Sequence, residues 1–504
     1  MPPETVAPPS RLSNALAKDR IGALGISLSI ASSVAPLTVV AGVVMTALAV
    51  TAQPGISIGL LTVGVVLLIF AVGYLAMARR ITNAGAFYAY AAQSLGRPVA
   101  VGVALVALVT YNCFQVASYG GVGAIGAPMF SHWFGIEVQW WLLGLLCWLI
   151  VGVLGIFDIG ISEKVLAVLV IGETVAVLVY AIAIATTPGF AFSLSPLAVD
   201  NLWGPGAGAL IAIGFTAFAG LEQAAAYAEE ARDARRNVSV ATYATISVVG
   251  TIYVFAATVI YSAAGSDVFV RAGEEGPDLF FNLAAGQLGT WSTDLGYALF
   301  LTSLLAAMIA FHNLVSRYMF SLGREGVLPR VFGRTAAGAP RNASLAQSAL
   351  GLLVITVYAA AGWDPLVQLF FWGGTSGGFG VLLLVAITSI SVIVYFTRHP
   401  HGETLWRRRI APGIAMPILL LLVYLTTSNL PVLYGVDGWS GPAWLVPTVY
   451  LLVFCLGLGW GVTLRRTRPE VYGGIGLGPA SAVAAGTAHT TTDEAGREPV
   501  EVTR

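Results

Sequence analysis

The sequence predicts an all-α polytopic membrane protein with about twelve transmembrane helices. Of its 504 residues, 57% are hydrophobic and only 10% are charged, whereas a soluble domain carries roughly 25% charged residues. Apolar segments of about 20 residues, the length that crosses a bilayer, recur from one end of the chain to the other. Lys and Arg concentrate in alternate connections between these segments, which indicates a fixed orientation in the membrane.

Twelve apolar segments fit the length of a membrane span. They cover residues 24–49, 56–78, 98–122, 138–157, 163–185, 207–228, 240–263, 292–320, 345–361, 367–396, 412–430 and 442–464. An even number of spans puts both termini on one side of the membrane. Nearly all connecting Lys and Arg residues then fall on that same side, with Arg271 as the exception, so we expect both termini in the cytoplasm and the protein in the cell membrane.

The spans divide the chain into five predicted regions. Residues 1–19 form a Pro-rich disordered tail, which lacks the apolar core of a cleavable signal peptide. Residues 20–200 hold spans 1–5 and residues 201–398 hold spans 6–10. Because five is an odd number, two such repeats insert with opposite topology. Residues 399–468 hold the last two spans, and residues 469–504, rich in Ala, Gly and Thr, form a second disordered tail.

The first span is interrupted at Ser32–Pro36. Pro36 has no amide hydrogen to donate, it biases Ala35 away from helical geometry, and it is well suited to begin a new helix. We predict a half-helix that ends at about Ala31, an unwound link, and a second half-helix from Pro36. A plain proline kink, with the serines bonded back to their own helix, is the alternative.

The sixth span contains a second interruption and an acidic side chain. Phe215 and Phe218 precede Ala219 and Gly220, and Glu222 follows them inside the span. A carboxylate at that depth costs about 2.5 kcal/mol or more unless it is paired, protonated or faces a cavity. The glycine allows helical hydrogen bonding to stop. Interruptions at corresponding positions of two repeats indicate a substrate site near the membrane midplane.

Several short stretches carry motifs shared with a known transporter family. They are residues 83–88, 215–222, 229–230, 235–237, 316–318, 323–329 and 370–374. Together they resemble the APC superfamily, the amino acid–polyamine–organocation permeases, over about residues 20–465. The resemblance implies a 5+5 inverted-repeat (LeuT-like) fold with broken helices 1 and 6, and secondary active transport.

Two stretches depart from the family pattern. Asp233 and Ala234 stand where members usually carry Asn-Pro, and the Ser32–Pro36 stretch replaces the common Gly-Ser-Gly of helix 1. The backbone role of the interruption can survive these changes, but the substrate of other members does not transfer to this chain.

The two interruptions predict how a substrate is held. Unwinding exposes amides at one half-helix start and carbonyls at the other half's end. Amides attract a carboxylate and carbonyls accept from an ammonium, so the pair suits an amino acid or, with the carbonyls alone, an amine. We assign the Ser32–Ala35 link and the amides after Pro36 to the carboxylate, and the carbonyls around Phe215–Ala219 to the ammonium. We expect Phe215 or Phe218 to cover the substrate, with cation–π contact as one form of that interaction. The alternative for each is a packing or lipid-facing aromatic residue. The predicted substrate-binding residues are Ser32, Ser33, Val34, Ala35, Pro36, Phe215, Phe218, Ala219 and Gly220.

Glu173 and Glu222 are the predicted proton-coupling residues. The resemblance places Glu173, in the fifth span, near the position where some proton-coupled members carry a lysine. It places Glu222 where some members carry a pH-sensitive glutamate. We therefore expect H⁺ as the coupling ion, with Na⁺ coupling and exchange as alternatives. For each residue, the alternative is a protonated glutamate that only bonds neighbouring helices.

Five further polar side chains within the spans are secondary candidates for lining the cavity. For each of them, a structural hydrogen bond between helices is the alternative. They are Tyr111, Asn112, Gln115, His312 and Asn313.

The sequence offers no motif for a cofactor, a metal or a nucleic acid. Gly121–Gly126 matches the dinucleotide pattern, but it lies in a membrane helix with no strand before it. The arginines of residues 398–409 suit lipid headgroups and topology rather than nucleic acid. We therefore expect a permease that uses no cofactor or metal and is not an enzyme. An exchanger, a polyamine permease, a channel or a membrane-embedded sensor are the alternatives.

Overall fold

The computed structural model describes residues 12–13, 16, 21–156, 159–203, 206–336, 338–400 and 402–481. Within these residues the regular structure is almost entirely helical. Most of the two predicted tails, including residues 1–11 and 482–504, lies outside the described residues.

The helices follow one another along the chain with short connections. The first nine are α1 (Ala23–Val34), α2 (Pro36–Thr38), α3 (Val44–Thr51), α4 (Ile56–Ala78), α5 (Phe87–Ser94), α6 (Arg97–Phe134), α7 (Trp140–Gly155), α8 (Ile159–Ala185) and α9 (Ala207–Thr216). The others are α10 (Ala234–Ala264), α11 (Val268–Glu275), α12 (Asp278–Leu288), α13 (Trp291–Arg324), α14 (Arg341–Ala361), α15 (Trp372–Arg398), α16 (Ala411–Ser428), α17 (Leu430–Tyr434), α18 (Pro442–Thr467) and α19 (Pro469–Gly474).

Short helical turns of other types join several of these elements. Three are π-helical, Val39–Val43, Pro365–Phe371 and Trp406–Ile410. The 3-10 turns are Ser195–Leu197, Val199–Leu202, Leu221–Tyr227, Gly265–Asp267, Arg330–Gly333 and Gly478–Ala480. Two strands, β1 (Leu12–Ser13) and β2 (Thr335–Ala336), form an antiparallel pair.

Eleven helices in the described part of the chain are long and apolar enough to cross a membrane. They fall on the predicted spans except the fourth, residues 138–157, where the structure has the shorter apolar helix α7 of 16 residues. Large apolar side chains such as Leu146, Val168 and Leu451 remain more than half exposed, as a lipid-facing surface requires. The predicted all-α polytopic membrane fold is confirmed, whereas the inverted repeat stays a prediction.

Small residues allow the central helices to approach closely. α6 packs against α13, α15 and α18, and α4 packs against α10 and α16. A Cβ atom on Gly457 of α18 would lie 2.7 Å from the Gly102 Cα of α6. Such backbone contact through small residues is the usual way in which membrane helices pack.

Two buried ion pairs join the segment after α9 to the end of α13. Glu230 binds Arg317 with N–O distances of 2.6 and 3.1 Å, and Glu229 binds Arg324 at 2.7 and 2.8 Å. All four side chains are at most 6% exposed. Paired hydrogen bonds between a guanidinium and a carboxylate are strong and fix geometry. The two pairs therefore hold these segments in one arrangement.

The chain before α1 lies on the same end of the bundle. The Ile21 amide donates to the Glu230 carbonyl (3.3 Å), and the Arg232 amide donates to the Ile21 carbonyl (2.8 Å). Leu16 is buried in a small cluster with Phe320. We call this end the terminal face, and we define it by Ile21, Glu229, Glu230, Arg317 and Arg324.

The described chain also continues past the predicted boundary at residue 468. α19 packs against α18, and Val471 and Ile475 are buried. The part of the predicted second tail that the structure describes, residues 469–481, is therefore folded. The rest of that predicted tail lies outside the described residues.

The buried pair on the terminal face gives a first prediction. Removal of one partner of a buried ion pair costs about 3–5 kcal/mol, so we expect Glu230→Gln to lower the unfolding temperature in detergent strongly. Glu275→Gln is the control, because its partner Arg271 is 35% exposed and such pairs contribute about 1 kcal/mol or less. Equal thermal stability of the two variants would show that the Glu230 pair does not hold the fold.

Candidate functional site

The first predicted interruption is a change of backbone conformation at Ala35. α1 runs to Val34, Ala35 adopts the left-handed conformation with a φ of 50°, and α2 starts at Pro36. The first half-helix therefore ends later than the predicted Ala31, and the link is shorter than predicted. A non-glycine residue in this conformation costs about 1 kcal/mol or more and is typical of functional sites.

Two side chains cap the start of the second half-helix. The Leu37 amide donates to Glu173 Oε2 at 3.3 Å, and the Thr38 amide donates to Ser303 Oγ at 3.4 Å. Glu173 comes from α8 and Ser303 from α13. The amides after Pro36, which the sequence suggested for a substrate carboxylate, are thus bound by the protein's own side chains.

Three carbonyl groups at the end of α1 lack a helical donor, and that of Val34 accepts from the Tyr253 hydroxyl at 3.3 Å instead. Pro36 has no amide hydrogen for the Ser32 carbonyl, and the Leu37 amide, which would serve the Ser33 carbonyl, donates to Glu173 instead. The hydroxyls of both serines donate to carbonyls of their own helix, at 2.8 and 2.9 Å. The alternative of a proline kink predicted these hydrogen bonds from the serine hydroxyls to their own helix.

The second interruption follows α9, which ends at Thr216. The chain then makes a tight turn, in which Gly220 has a φ of 108°, and continues as the 3-10 turn Leu221–Tyr227. A Cβ atom on Gly220 would lie 2.8 Å from the Ser33 Cβ. Only glycine fits both this conformation and this contact, so the two interruptions touch each other at this residue.

A second glutamate caps this turn. The Gly220 amide donates to Glu222 Oε2 at 2.9 Å, and the Tyr74 hydroxyl donates to the Glu222 carbonyl at 2.5 Å. In the described part of the chain, no backbone amide donates to the carbonyls of Ala217 and Ala219. Both interruptions therefore share one pattern, in which a glutamate holds an amide and carbonyls remain free.

A cavity of about 530 Å³ begins at the two interruptions, a volume typical of ligand sites. It extends to Ala49 on α3 and to Pro277 after α11. Because α1 starts at the terminal face and the chain runs away from it through α3, the cavity reaches toward the opposite end of the bundle. Its lining includes no charged side chain among the described residues.

The predicted substrate-binding residues divide into two groups. Those that line the cavity are Ser33, Val34, Ala35, Phe215 and Ala219. The others lie beside it, namely Ser32, Pro36, Phe218 and Gly220. Phe218 packs edge-on against the ring of Tyr253 at 5.7 Å, which is the packing role that we kept as its alternative.

The candidates of the third span form contacts inside the helix bundle. Tyr111 packs against the rings of Phe311 and Tyr318. Asn112 Oδ1 accepts from Gln347 Nε2 at 2.8 Å. Gln115 Nε2 donates to the hydroxyl of Tyr119, one turn along the same helix, at 2.8 Å. None of the three candidates belongs to the described cavity lining.

The candidates of the eighth span also have protein partners. His312 Nε2 lies 2.8 Å from the hydroxyl of Ser344 on α14, and the Asn313 carbonyl accepts from Arg317 at 2.9 Å. Both side chains are buried and lie outside the described cavity lining. The His312 contact is of the kind that the structural alternative describes, whereas the Asn313 bond uses a backbone carbonyl within α13 and does not bear on the Asn313 side chain.

Each of the two predicted coupling residues caps an amide at one interruption, Glu173 from α8 and Glu222 from the chain of the second interruption itself. Glu173 is fully buried and Glu222 is 6% exposed. Each uses Oε2 to cap an amide, while its buried Oε1 has no hydrogen-bond partner among the described residues. An unpaired buried polar atom is costly, so each carboxyl group retains capacity for another donor.

Sequence reasoning missed several residues of the site. Phe114 and Phe311 line the cavity with stacked rings, 4.9 Å apart and nearly parallel. Gly378 allows close contact with Thr216, since a Cβ there would meet the threonine Oγ1. Aromatic and small residues are common in every span of this chain, so nothing in the sequence distinguished these. Ser303 could have been found as a hydroxyl within an apolar span.

The contact between the interruptions gives a second prediction. We expect Gly220→Ala to lower the unfolding temperature and abolish transport, because its methyl group meets Ser33 and a left-handed alanine costs roughly 1–2 kcal/mol. Gly172→Ala is the control, since a Cβ at that position of α8 meets no atom within 4 Å. A Gly220→Ala variant with normal stability and transport would refute the proposed contact.

A comparison with protein families shows to which family the chain belongs. A family model described as amino acid permease matches residues 21–454, which include both interruptions and most of the cavity lining. A comparison with curated proteins gave no match. The chain therefore belongs to the amino acid permease family of the APC superfamily.

Proposed function

We propose that the protein is a secondary active permease that moves an amino acid or a related amine across the cell membrane by alternating access. The observation that carries this proposal is the pair of helix interruptions, which touch at Gly220 and Ser33 beside a cavity of about 530 Å³. Membership of the permease family supports transport of amino acids or amines.

The free carbonyls suit the ammonium group of such a substrate. Ser33 and Ala219 line the cavity, and their carbonyls have no helical donor in the described chain. An ammonium group has three donors and no acceptor, so it can bind carbonyls of both interruptions at once. Phe215 lines the same end of the cavity and can contribute cation–π attraction.

Alternating access requires one end of the site to close while the other opens. The cavity extends away from the terminal face, where the Glu230–Arg317 and Glu229–Arg324 pairs are buried. Glu230 and Glu229 follow the 3-10 turn Leu221–Tyr227 that continues the second interruption. Movement at the interruption therefore acts directly on these pairs. We propose that they form the gate on the cytoplasmic side, where the Lys and Arg pattern puts both termini.

Proton coupling is proposed to act through Glu173. This side chain joins α8 to the Leu37 amide at the start of α2. A carboxylate accepts a stronger hydrogen bond than a neutral carboxylic acid does, so protonation would loosen the cap and free the second half-helix. The site would then couple proton binding to movement of the first interruption, as symport requires.

The coupling residue gives a third prediction. We expect Glu173→Gln to abolish proton-driven accumulation in liposomes while exchange of substrate across the membrane persists, because glutamine keeps the cap but cannot release a proton. Glu137→Gln is the control, since Glu137 is exposed outside the spans. The measurements are uptake with an imposed pH gradient and counterflow without one.

The same measurements separate the alternatives. Unchanged accumulation in the Glu173→Gln variant would remove this residue from the coupling mechanism. Wild-type counterflow without any gradient-driven uptake would identify an exchanger. Non-saturable, ohmic conductance would favour a channel and would contradict the proposal of alternating access.

A further inference from the structure

We propose that the site selects a primary monoamine with an apolar body in preference to the amino acid that carries the same side chain. This inference rests on the proposed function and narrows the substrate class of the same site. It depends on which backbone groups at the two interruptions are free.

The amides that could receive a carboxylate are occupied. The Leu37 amide binds Glu173, and the Gly220 amide binds Glu222. A substrate carboxylate would have to displace one of these carboxyl groups and then lie close to it in a medium of low dielectric constant. The displaced carboxyl group would lose its amide donor, and a buried polar group without a partner is costly.

The hydroxyl groups near the interruptions do not replace those amides. The Ser118 hydroxyl donates to the Phe114 carbonyl at 2.9 Å, and the Thr216 hydroxyl donates to the Ala212 carbonyl at 3.2 Å. The described lining contains no Lys, Arg, His, Asn or Gln. A carboxylate in this cavity would therefore meet hydroxyl groups, such as those of Thr375 and Thr426, but no cationic or amide side chain. Because a desolvated carboxylate with so few donors costs several kcal/mol, the cavity favours a substrate without one.

The groups that remain suit an ammonium. The carbonyls of Ser32, Ser33, Ala217 and Ala219 lack backbone donors within the described chain, and Ser33 and Ala219 line the cavity. Acceptors without matching donors favour a cationic head group. A primary ammonium fits better than a quaternary one, because only the former donates hydrogen bonds.

The walls of the cavity indicate which chemistry the rest of the substrate has. Phe114 and Phe311 stack beside Phe379 and Leu382. Such a wall stabilises an apolar body by about 25 cal/mol per Å² buried. A second ammonium would find no carboxylate in the described lining, so diamines and polyamines are disfavoured.

The test compares each amine with the amino acid from which decarboxylation would produce it. Purified protein in proteoliposomes is assayed for uptake of 2-phenylethylamine against phenylalanine and of 3-methylbutylamine against leucine, with cadaverine as the diamine. We expect each monoamine to show at least about a tenfold lower KM than its amino acid, a difference of about 1.4 kcal/mol. Cadaverine is expected to be a poor substrate.

The outcomes separate the two levels of the proposal. Phenylalanine or leucine with a KM equal to or below that of its amine would overturn the inference while leaving the permease function intact. Efficient cadaverine uptake would overturn it in the same way. Saturable uptake of none of the compounds would contradict both the inference and the proposed function.

A variant tests the position of the apolar body. Phe311→Ala is expected to raise the KM for 2-phenylethylamine several-fold, because the ring lines the cavity. Phe130→Ala is the control, since Phe130 packs on Phe134 at the end of α6 and lies outside the described cavity lining. Equal KM values for the two variants at matched thermal stability would contradict this position.

A separate observation, on the terminal face, supports a second inference. We propose that residues 469–481 act as a latch that holds the closed arrangement of this face. Glu325, directly after α13, accepts hydrogen bonds from the amides of Gly476 (2.6 Å) and Gly478 (2.8 Å). It also accepts from the Tyr88 hydroxyl in α5 (2.6 Å) and from the Asn83 side chain in the connection between α4 and α5 (2.9 Å).

This carboxyl group therefore joins three parts of the chain. Burial raises the pKa of Glu325, and its four donors oppose that shift. The Ala84 amide of the same connection donates to Glu229, the partner of Arg324. The latch is thus connected to the ion pairs that we propose as a gate, and α13 cannot separate from residues 83–88 while Glu325 holds both.

Two shortened chains test the latch. A chain that ends at Arg468 is expected to show several-fold faster counterflow than the full chain, because the terminal face opens more easily. A chain that ends at Ser481 retains the latch and is expected to match the full chain. Glu325→Gln, which keeps the segment but weakens its contacts, is expected to accelerate counterflow to an intermediate extent.

The contrary results are equally specific. Counterflow at the wild-type rate in both the Arg468 chain and the Glu325→Gln variant would overturn the latch. Lower thermal stability without any rise in rate would assign the segment a purely structural role and would also overturn it.

Discussion

The whole site depends on one constraint, that backbone polar groups inside a membrane need partners. An intact helix satisfies this constraint by itself, whereas each of the two interrupted helices needs a substitute. Glu173 supplies it at Leu37 and Glu222 supplies it at Gly220. The two glutamates therefore have a structural role that is independent of transport. Their depth in the membrane, which looks unfavourable in isolation, is explained by the amides that they cap.

The terminal face also contains buried groups that need partners, and these groups are charged side chains. Two carboxylates and two guanidinium groups are removed from water there, and close bidentate geometry offsets part of the desolvation cost. Glu229 and Glu230 follow the 3-10 segment Leu221–Tyr227 that continues the second interruption. Because the paired hydrogen bonds between a guanidinium and a carboxylate require a specific geometry, a displacement of the chain breaks them. A rigid turn between the interruption and the pairs can therefore convert a small local change into opening of the face.

Much of the fold was predictable from local chemistry, and much of the site was not. Periodic apolar length predicted the spans, and the missing amide of Pro36 predicted a helix start at that residue. Local sequence could not predict that α1 continues to Val34, because this depends on Ala35 accepting a left-handed conformation imposed by neighbours. Nor could it predict that Glu173 caps Leu37, since the two residues lie far apart in the chain and meet only through helix packing.

The arrangement of the two glutamates also explains how binding can drive a conformational change. In the described chain each glutamate uses one oxygen for an amide and leaves the other, Oε1, without a hydrogen bond. The unliganded site therefore contains both unmet acceptors and free carbonyls close together. A cation or a proton that enters it binds acceptors that have no partner in this arrangement of the described chain. A ligand shifts a conformational equilibrium only as far as its differential affinity for the two states allows. Acceptors that are unmet in one state, and that a substrate can satisfy, are a physical source of such a difference.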